Sequence, residues 1–373
     1  MKKILLTDCC ELVMGQSPVS SSYNTEKRGL PFYQGNADFG KINPITRCWC
    51  DKPIKIAYKD DILISVRAPI GAINIASEEC CIGRGLAAVR ALKGKCLYEF
   101  LYYALQSNTE ELKSQGTGST FKAISKQILA NSELPDITLE EQHRIVNRLL
   151  KVDTLIENAN EQLRLFDQLV KSRFIEMFGD IVLNDKHHGQ YILNDVCVKI
   201  TDGTHDTPKR IENGYLFLTG KNIRANGIIY DEIEYVSKEV HKEIYKRCNP
   251  EYGDVLYTNI GVNYGTACLN NRTDEFSMKN IALLKPNKKI LNSYYLWYCL
   301  NLMRDFILEK NQAGGAQTFM GLATIKNIKI QVPSIELQNQ FASFVQQVDK
   351  SKFTHCYELL LLIIKKIWYN NYV

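Results

Sequence analysis

Two stretches of this sequence carry residue types that could do chemistry. Residues 214–221 end in Gly-Lys, a pair that in a phosphate-binding loop lies against the phosphate oxygens. The glycines are one residue too far apart for that loop, and Asn222 stands where Ser or Thr must bind magnesium. Residues 202–205 read Asp-Gly-Thr-His, but a lone histidine in a turn more often makes local hydrogen bonds. These patterns favour binding over catalysis, and a nucleotide-dependent enzyme built on Gly220-Lys221 is the weakest alternative.

The cysteines and histidines offer no metal-binding pattern. The chain has 12 Cys and 6 His, but neither Cys48-x-Cys50 nor the Cys80-Cys81 pair has the wider spacing of a zinc site. Lys2 and Lys3 precede an apolar run that is too short for a secretory signal. We therefore expect free thiols in a reducing cytoplasm, no bound metal and no cofactor on this chain.

Composition bounds the class of protein. The 373 residues suggest two or three domains, and 45% hydrophobic with 23% charged residues is ordinary for a globular chain. A net charge of +5 permits a nucleic-acid partner without demanding one. The longest apolar run, residues 359–364, is too short to cross a bilayer, so we expect no membrane partner.

The elements that must position any site include one long helix. Residues 138–179 contain no Pro and no internal Gly, and their apolar residues recur at alternating spacings of four and three. This seam predicts a helix of roughly 40 residues, about 60 Å long, that packs against another helix. Thr138 and Glu141 have the spacing of a capping box, and Gly179 stands where the helix should end. The seam consists of Ile145, Leu149, Val152, Ile156, Ala159, Leu163, Phe166 and Val170.

The second half of the chain repeats the order of the first half. Because matches occur in the same order throughout, they indicate two copies of one domain-plus-helix unit. The matched pairs are Leu6-Thr7-Asp8 with Leu193-Asn194-Asp195, Cys10 with Cys197, residues 61–65 with 254–258, Gly71 with Gly265, 101–105 with 296–300, 118–121 with 316–319, and Pro135, Glu140 and Gln142 with Pro333, Glu336 and Gln338.

The second helical segment, from about Ile335 to Tyr369, is less regular. Leu337, Phe341, Phe344 and Val348 form one apolar stripe, and Phe353, Cys356, Leu360, Ile363 and Ile367 form another, so the phase slips at residues 349–352. We predict an α+β protein with two similar mixed α/β domains at 1–138 and 180–334. Each is followed by a long helix, at 139–179 and 335–373, and the two helices pair as an antiparallel coiled coil.

Several motifs together resemble the DNA-specificity subunit of type I restriction-modification systems. They are the duplicated unit, the turn Thr201-Asp202-Gly203-Thr204-His205-x-Thr207-Pro208, the Pro-x(4–6)-Glu-x-Gln entry to each helix, and the segment 174–180. The resemblance covers essentially the whole chain. One departure is Met14-Gly15-Gln16-Ser17-Pro18 in the first half, where the second half has the Asp-Gly-Thr-His turn, which suggests that the two domains read different sequences.

The resemblance implies a non-catalytic chain that selects a bipartite site on double-stranded DNA. Each globular domain would be a target-recognition domain for one half-site, and half-sites on one face of the duplex lie about 34 Å apart or a multiple of it. Methyltransferase subunits, two of them in our expectation, would bind the helices and carry S-adenosylmethionine, and a restriction or translocase subunit could join. The alternative from another class is a stand-alone bipartite DNA-binding regulator that recruits no enzyme.

Candidate contact residues follow from side-chain chemistry on expected loops. Base edges need hydrogen-bonding side chains and phosphates need cations, although each candidate could equally satisfy a local turn, and Arg67 could be a structural ion-pair partner. For DNA we select Gln16, Ser17, Asn36, Arg67, Arg84, Thr117 and Ser119 in the first domain, and Thr204, His205, Lys221, Asn222, Asn259, Asn263, Tyr264 and Gln317 in the second. For partner binding we select the outer helical positions Val146, Leu155, Leu165 and Leu169.

Overall fold

The computed structural model describes residues 2–117, 122–261, 263–312 and 319–370. The chain divides into two compact units: unit 1 comprises Met1–Glu161 and Cys356–Val373, and unit 2 comprises Gln162–His355. Among the described residues, no helix combines the length and the apolar character needed to cross a membrane.

Unit 1 is built from short strands and helices. Its strands are β1 (Lys3–Leu5), β2 (Cys10–Met14), β3 (Tyr23–Asn24), β4 (Leu30–Tyr33), β5 (Trp49–Cys50), β6 (Ile56–Ala57), β7 (Ile62–Ser65), β8 (Ile73–Ile75), β9 (Cys80–Ile82), β10 (Leu86–Ala91) and β11 (Glu133–Pro135). Its shorter helices are α1 (Leu6–Cys9), α2 (Tyr98–Ser107), α3 (Thr109–Ser114) and α4 (Lys126–Ala130). The first long helix, α5 (Leu139–Phe178), begins in unit 1 and ends in unit 2.

Unit 2 has a similar set of elements and one further short helix. Its strands are β12 (Gly189–Ile192), β13 (Cys197–Asp202), β14 (Tyr215–Thr219), β15 (Ile223–Arg224), β16 (Gly227–Ile228), β17 (Glu234–Val236), β18 (Val255–Thr258), β19 (Ala267–Leu269), β20 (Ser277–Lys279), β21 (Ile281–Pro286) and β22 (Lys329–Val332). Its shorter helices are α6 (Leu193–Val196), α7 (Lys238–Arg247), α8 (Ser293–Leu302), α9 (Arg304–Gln312) and α10 (Leu322–Lys326), and the second long helix is α11 (Ile335–Asn370).

The central sheet topology is the same in both units and confirms the internal duplication. The outer sheets differ: unit 1 has a five-stranded sheet of order β3-β5-β4-β9-β6, and unit 2 has a three-stranded sheet of order β17-β14-β20 and a two-stranded sheet of β15 and β16. A four-stranded antiparallel sheet has the order β2-β10-β7-β8 in unit 1 and β13-β21-β18-β19 in unit 2. A two-stranded sheet pairs β1 with β11 and β12 with β22, and a parallel pair joins β4 to β9 and β14 to β20. The predicted mixed α/β character of both halves is confirmed.

The central strands are apolar along their whole length because both faces of the sheet are covered. In β7, Ile62 and Ile64 enter one core cluster, whereas Leu63 enters another on the opposite face. In β18, Val255 and Tyr257 likewise lie on one face and Leu256 on the other. Successive side chains of a strand point to opposite faces, so a strand buried on both faces needs a continuous apolar run.

The predicted seam of α5 faces inward. Leu149, Val152, Ala159 and Val170 are buried, and the other four seam residues are half-buried. The capping box is confirmed, because Thr138 N donates to Glu141 Oε2 at 2.9 Å and Glu141 N donates to Thr138 Oγ1 at 3.3 Å. Gly179 follows the helix with φ +76°, a conformation that favours glycine.

Helix α11 contacts α5 inside each unit. In unit 2 the Phe166 ring lies 5.4 Å from His355, and the Phe174 ring lies 5.2 Å from Phe341, so the two segments run antiparallel there. In unit 1, Lys366 Nζ lies 2.6 Å from Asp153 Oδ1.

The predicted phase slip in α11 is wrong. Phe353, Cys356, Leu360 and Ile363 are exposed, whereas the half-buried positions are Lys352, His355, Leu359, Leu362 and Lys366. These positions continue the spacing of Phe341, Val345 and Val348 without interruption, alternating four and three. The seam was hidden because lysine and histidine occupy it. Lys352 is satisfied there by Asp167 of α5, with Nζ 2.6 Å from Oδ1.

Val146 also differs from its expected outer position. Its side chain is 5% exposed and belongs to the main core cluster of unit 1. The first turns of α5 pack onto the globular part of the unit, so the apolar face is wider there than a two-position seam.

Candidate nucleic-acid interface

Three strand termini meet at one end of the central sheet of unit 1. Met14 ends β2, Ser65 ends β7 and Leu86 begins β10, and the antiparallel ladders place all three at the same end. Backbone hydrogen bonds join the segments that extend from them: Gly15 N donates to Leu86 O at 2.9 Å, and Val66 N donates to Gly85 O at 2.9 Å. We call these segments the sheet end of unit 1.

The sheet end brings together most of the residues predicted to contact DNA in unit 1. Arg84 N donates to Ser17 Oγ at 3.2 Å, and Gln16 is the neighbouring residue. Arg67 and Thr117 each form a β-bridge with Ala123. Gln16, Arg67, Arg84 and Thr117 are exposed and Ser17 is half-buried, so an approaching duplex would meet two guanidinium groups beside amide and hydroxyl groups.

Asn36 lies next to this sheet end. It opens a one-turn 3-10 helix, Asn36–Asp38, that follows β4. The backbone oxygen of Gln34, two residues before Asn36, accepts a hydrogen bond from Gly85 N at 3.2 Å. This bond connects the segment that carries the half-buried Asn36 to the segment that carries Arg84.

Unit 2 has the equivalent sheet end. Asp202 ends β13, Thr258 ends β18 and Ile281 begins β21, and Gly203 N donates to Ile281 O at 2.9 Å as Gly15 N does to Leu86 O. The turn needs glycine in both units because the backbones approach closely. A Cβ on Gly15 would lie 2.2 Å from Gly83 O, and one on Gly203 would lie 2.1 Å from Met278 O. The predicted match between residues 14–18 and the Asp-Gly-Thr-His turn is therefore confirmed.

His205 is held at the sheet end of unit 2 by two neighbours. Its Nε2 lies 2.7 Å from Asp202 Oδ2, and its Nδ1 lies 2.9 Å from Asn280 Oδ1. Arg247 donates from Nη2 to Gly203 O at 2.6 Å and lies 3.6 Å from Asp202 Oδ1. The imidazole is about half exposed, at 49% of its side chain, so a fixed ring edge faces outward.

Lys221 and its neighbours connect a second loop to this sheet end. Lys221 is exposed on the one-turn helix Gly220–Asn222, and Asn263 Nδ2 donates to Gly220 O at 2.8 Å. The Asn222 amide is 4% exposed and ties the loop internally: its Oδ1 accepts from Thr219 N at 3.0 Å and its Nδ2 donates to Ile229 O at 3.2 Å. Lys221 thus faces solvent, whereas Asn222 shapes the loop.

Three further candidates in unit 2 are buried. Thr204 is 8% exposed, Tyr264 is 6% exposed and Asn259 is fully buried. Burial raises the pKa of the Tyr264 phenol above its usual range. Among the described residues, neither Asn259 Nδ2 nor Asn259 Oδ1 has a hydrogen-bond partner, although the backbone oxygen of Asn259 accepts from Met320 N at 2.9 Å. In this structure these side chains lie beneath the surface that a duplex could touch.

The structure adds residues that the sequence analysis did not select. Lys279 lies two residues before β21, as Arg84 lies two residues before β10, and its Nζ contacts Thr207 Oγ1. Asn280 and Arg247 hold His205 and its turn, as described above. The repeat in the sequence could have identified Lys279, because aligning the starts of β10 and β21 makes Lys279 the equivalent of Arg84.

Two predicted residues, Ser119 and Gln317, lie outside the described residues. The neighbouring β-bridges still define the local equivalence: Ala123 pairs with Arg67 in unit 1, and Phe319 pairs with Ile260 in unit 2. Ala123 therefore occupies the position of Phe319, which the sequence match had given to Phe121, while residues 118–121 and 316–318 themselves lie outside the described residues.

Exposed apolar side chains mark the long helices. Leu155, Leu165 and Leu169 are 48–50% exposed, in line with their expected outer positions. The exposed apolar face of α11 was not anticipated, because the sequence analysis assigned part of it to the seam. It comprises Phe353, Tyr357, Leu360, Leu361, Ile363 and Ile364.

The two halves of the chain match one family. The family described as "Type I restriction modification DNA specificity domain" matches residues 1–165 and again residues 186–356. A protein of Methanocaldococcus jannaschii described as the MjaX type I restriction enzyme specificity subunit is 47% identical over 161 residues, which are 43% of this chain and 38% of that protein. The chain thus spans well under half of that relative's length in this match.

Longer matches extend over most of the chain. The type I restriction enzyme MjaIX specificity subunit of the same organism is 24% identical over 336 residues, or 84% of this chain and 76% of that protein. The crystal structure of a type I restriction-modification S subunit from M. genitalium covers 99% of this chain and 94% of its own, at 18% identity and a TM-score of 0.57. That likeness shows a shared fold.

Proposed function

The chain belongs to the type I restriction modification DNA specificity family, and we propose that it selects the DNA sequence on which a methyltransferase complex acts. Residues 1–138 and 180–334 would each be a target-recognition domain that reads one half of a bipartite double-stranded target. This chain would itself be non-catalytic. The family match over both halves and the duplicated sheet end support this reading.

One observation carries the proposal above the others. The turn after β2 and the turn after β13 share a backbone path and its glycine, but they expose different side chains: Gln16 and the half-buried Ser17 in one unit, and the half-exposed His205 in the other. Base edges are distinguished by the pattern of donors and acceptors that meet them. A common scaffold with different donors and acceptors is what two half-site readers of unlike sequence require.

The cations beside these turns supply the sequence-independent part of binding. Arg67, Arg84, Lys221 and Lys279 lie at or next to the two sheet ends. Contacts from cations to phosphates position a protein on the duplex and release counterions, so they make affinity dependent on salt.

The two long helices would pair along their length as an antiparallel coiled coil and so set the separation of the half-sites. The contacts of Phe174 with Phe341 in unit 2 and of Lys366 with Asp153 in unit 1 support this pairing. The continuous seam of α11 supports it as well, since a coiled coil needs one unbroken stripe on each helix.

The exposed apolar faces of the helices would bind methyltransferase subunits, two of them by the symmetry of the repeat. Such faces are larger than isolated surface residues and mark partner sites. S-adenosylmethionine would be bound by those partners, and this chain would bind no cofactor. A restriction or translocase subunit could join the complex. The complex would work in the cytoplasm.

The test is selection of bound sequences from a randomised duplex library by the full chain with its methyltransferase partner. We expect two enriched runs at a fixed separation. Gln16→Ala should weaken the preference for one run, and His205→Ala the preference for the other. Arg84→Ala and Lys221→Ala should instead weaken binding to all sequences, and each should lower the salt dependence by about one phosphate contact.

Lys93→Ala and Lys288→Ala are the matched controls. Both lysines are exposed and follow the far ends of β10 and β21, away from the sheet ends, so both variants should keep the full preference. Enrichment of one continuous run, or equal losses in the control variants, would contradict the proposal. Bipartite binding without capture of any methyltransferase would instead identify a stand-alone regulator.

A further inference from the structure

Three buried thiols converge at one point in unit 1. Cys9 ends α1, Cys10 begins β2, and Cys96 lies in the connection between β10 and α2. All three are buried, with exposures of 3%, 3% and 7%. The Sγ atoms of Cys9 and Cys10 are 3.7 Å apart, and all three Sγ atoms lie within 4.8 Å of one another.

These separations suit a shared metal ion. Three sulfurs that are each about 2.3 Å from one ion lie about 3.8–4.0 Å apart, by simple trigonal or tetrahedral geometry. Small side-chain rotations would bring the three thiols to that separation. Among the described residues, this is the one group of three or more His, Cys, Asp or Glu whose ligand atoms approach so closely, and sulfur is its sole ligand type.

Unit 2 shows that packing alone does not require thiols here. Leu92 N donates to Cys9 O as Asn287 N donates to Val196 O, and Cys96 N donates to Leu92 O as Leu291 N donates to Asn287 O. Val196 and Leu291 are therefore the counterparts of Cys9 and Cys96, and they are 1% and 0% exposed in the core of unit 2. The same fold fills two of the three positions with aliphatic side chains, and the third position, that of Cys10, holds Cys197 in unit 2.

We propose that Cys9, Cys10 and Cys96 form a trithiolate site for a soft, thiophilic metal ion, either Cu⁺ or Zn²⁺. Buried sulfur ligands without oxygen or nitrogen select such ions. Binding replaces the three thiol protons with three metal–sulfur bonds, and no electron is transferred. Cu⁺ would be complete with three sulfurs, whereas Zn²⁺ would take one further small ligand.

The ion would fasten the start of the central sheet to the connection that precedes α2. That connection is already fixed to α5, because Gln142 Nε2 donates to Lys95 O at 3.1 Å and Gln142 Oε1 accepts from Leu97 N at 2.9 Å. The thiols lie at the start of β2, whereas the sheet end lies at its other end. Bound metal should therefore make unit 1 more stable without contacting DNA.

The experiment uses the full chain, stripped of metal under reducing conditions and then supplied with Zn²⁺ or Cu⁺ alone. After removal of free ion, elemental analysis should find one equivalent of one of these ions per chain, and that ion should raise the melting temperature by several degrees. Cys96→Leu and Cys9→Val each install the aliphatic residue that unit 2 carries, so both should fold, retain far less metal and lose the shift.

Cys268→Ala is the matched control, since it removes a buried thiol of unit 2 and should keep both the ion and the shift. Circular dichroism establishes whether each variant is folded. If one of the two cysteine variants does not fold, the other is sufficient for the test. The proposal is overturned if the wild-type chain retains neither ion. It is equally overturned if both cysteine variants retain as much metal as the wild type, or if peptide mapping of the non-reduced chain finds a disulfide between two of these three thiols.

Discussion

At the scale of single residues, two glutamines make the same set of contacts in the two units. Gln142 accepts from Leu97 N at 2.9 Å, and Gln338 accepts from Asn292 N at 2.8 Å. Gln142 donates to Lys95 O and Ile137 O, and Gln338 donates to Ile290 O and Pro333 O. Each glutamine thus fixes the first turn of a long helix to the connection before the neighbouring short helix.

Gln338→Ala should lower the free energy of unfolding by about 2–4 kcal/mol, because it leaves several buried backbone groups without a partner. Denaturant unfolding followed by tryptophan fluorescence reports on unit 2 through the buried Trp297. Gln340→Ala is the matched control, since Gln340 is exposed on the same helix and should change stability by less than about 0.5 kcal/mol. Equal effects in the two variants would contradict the role of the buried amide.

The sequence predicted some of these side-chain positions and missed others. The Glu-x-Gln pattern at both helix entries and the pairing of Thr138 with Glu141 were readable because capping and helix entry depend on nearby residues. The inward position of Asn222 and Asn259 was not readable, because a polar residue after a strand can face either solvent or the interior. Which face it takes depends on segments outside the local turn, such as the backbone oxygens of Ile229 and Asp231, which accept from Asn222 Nδ2.

At the scale of elements, α11 shows where periodicity fails. Its inward stripe contains Lys352, His355 and Lys366, and its outward face carries Phe353 and Leu360. Counting apolar residues therefore selects the wrong face. The lysines are tolerated because α5 supplies Asp167 and Asp153 opposite them, and a single helix cannot reveal a partner of that kind. The seam of α5 is wholly apolar and was predicted correctly, whereas the outer position predicted for Val146 was wrong.

The exposed leucines of α5 give a prediction at this scale. Leu165→Glu with Leu169→Glu should abolish co-purification of the chain with a methyltransferase subunit, because two carboxylates would be buried in an apolar contact. Far-ultraviolet circular dichroism and DNA binding by the isolated chain should stay unchanged, since both side chains are about half exposed.

Gln168→Glu is the control for charge, because Gln168 is an exposed polar neighbour on the same helix. It should leave co-purification intact. An intact complex with the double leucine variant would mean that this face is ordinary surface and that the partner binds elsewhere.

At the scale of the whole molecule, the duplication was predictable from the order of weak matches, and the topology of both units confirms it. Unit 1 takes in the final segment, Cys356–Val373, although all of unit 2 separates that segment from the rest of unit 1. The predicted antiparallel pairing of the two long helices implies such sharing. The ion pair of Asp153 with Lys366 could not be predicted, because a contact between residues so distant in sequence depends on tertiary packing and leaves no local sequence pattern.

Asp153→Ala should loosen that final segment. Asp153 accepts from Tyr103 Oη at 2.8 Å and pairs with Lys366 at 2.6 Å, and both carboxylate oxygens are used. We expect trypsin to cleave at Lys365 and Lys366 roughly five- to thirtyfold faster in the variant, as loss of about 1–2 kcal/mol would allow. Glu358→Ala, at an exposed position of α11, should leave the cleavage rate unchanged, and equal rates in all three proteins would contradict the prediction.

The division of unit 1 between two distant segments has a consequence for biosynthesis. A ribosome that has synthesised Met1–Glu161 must still synthesise the whole of Gln162–His355 before it reaches the residues that complete unit 1. At typical elongation rates that interval is roughly 10–40 s. During this interval Lys366 has not yet been synthesised, so Asp153, which also binds Tyr103, lacks its ion-pair partner. Chaperones, or an assembly partner that binds during translation, therefore have access to a surface of unit 1 that the finished chain closes.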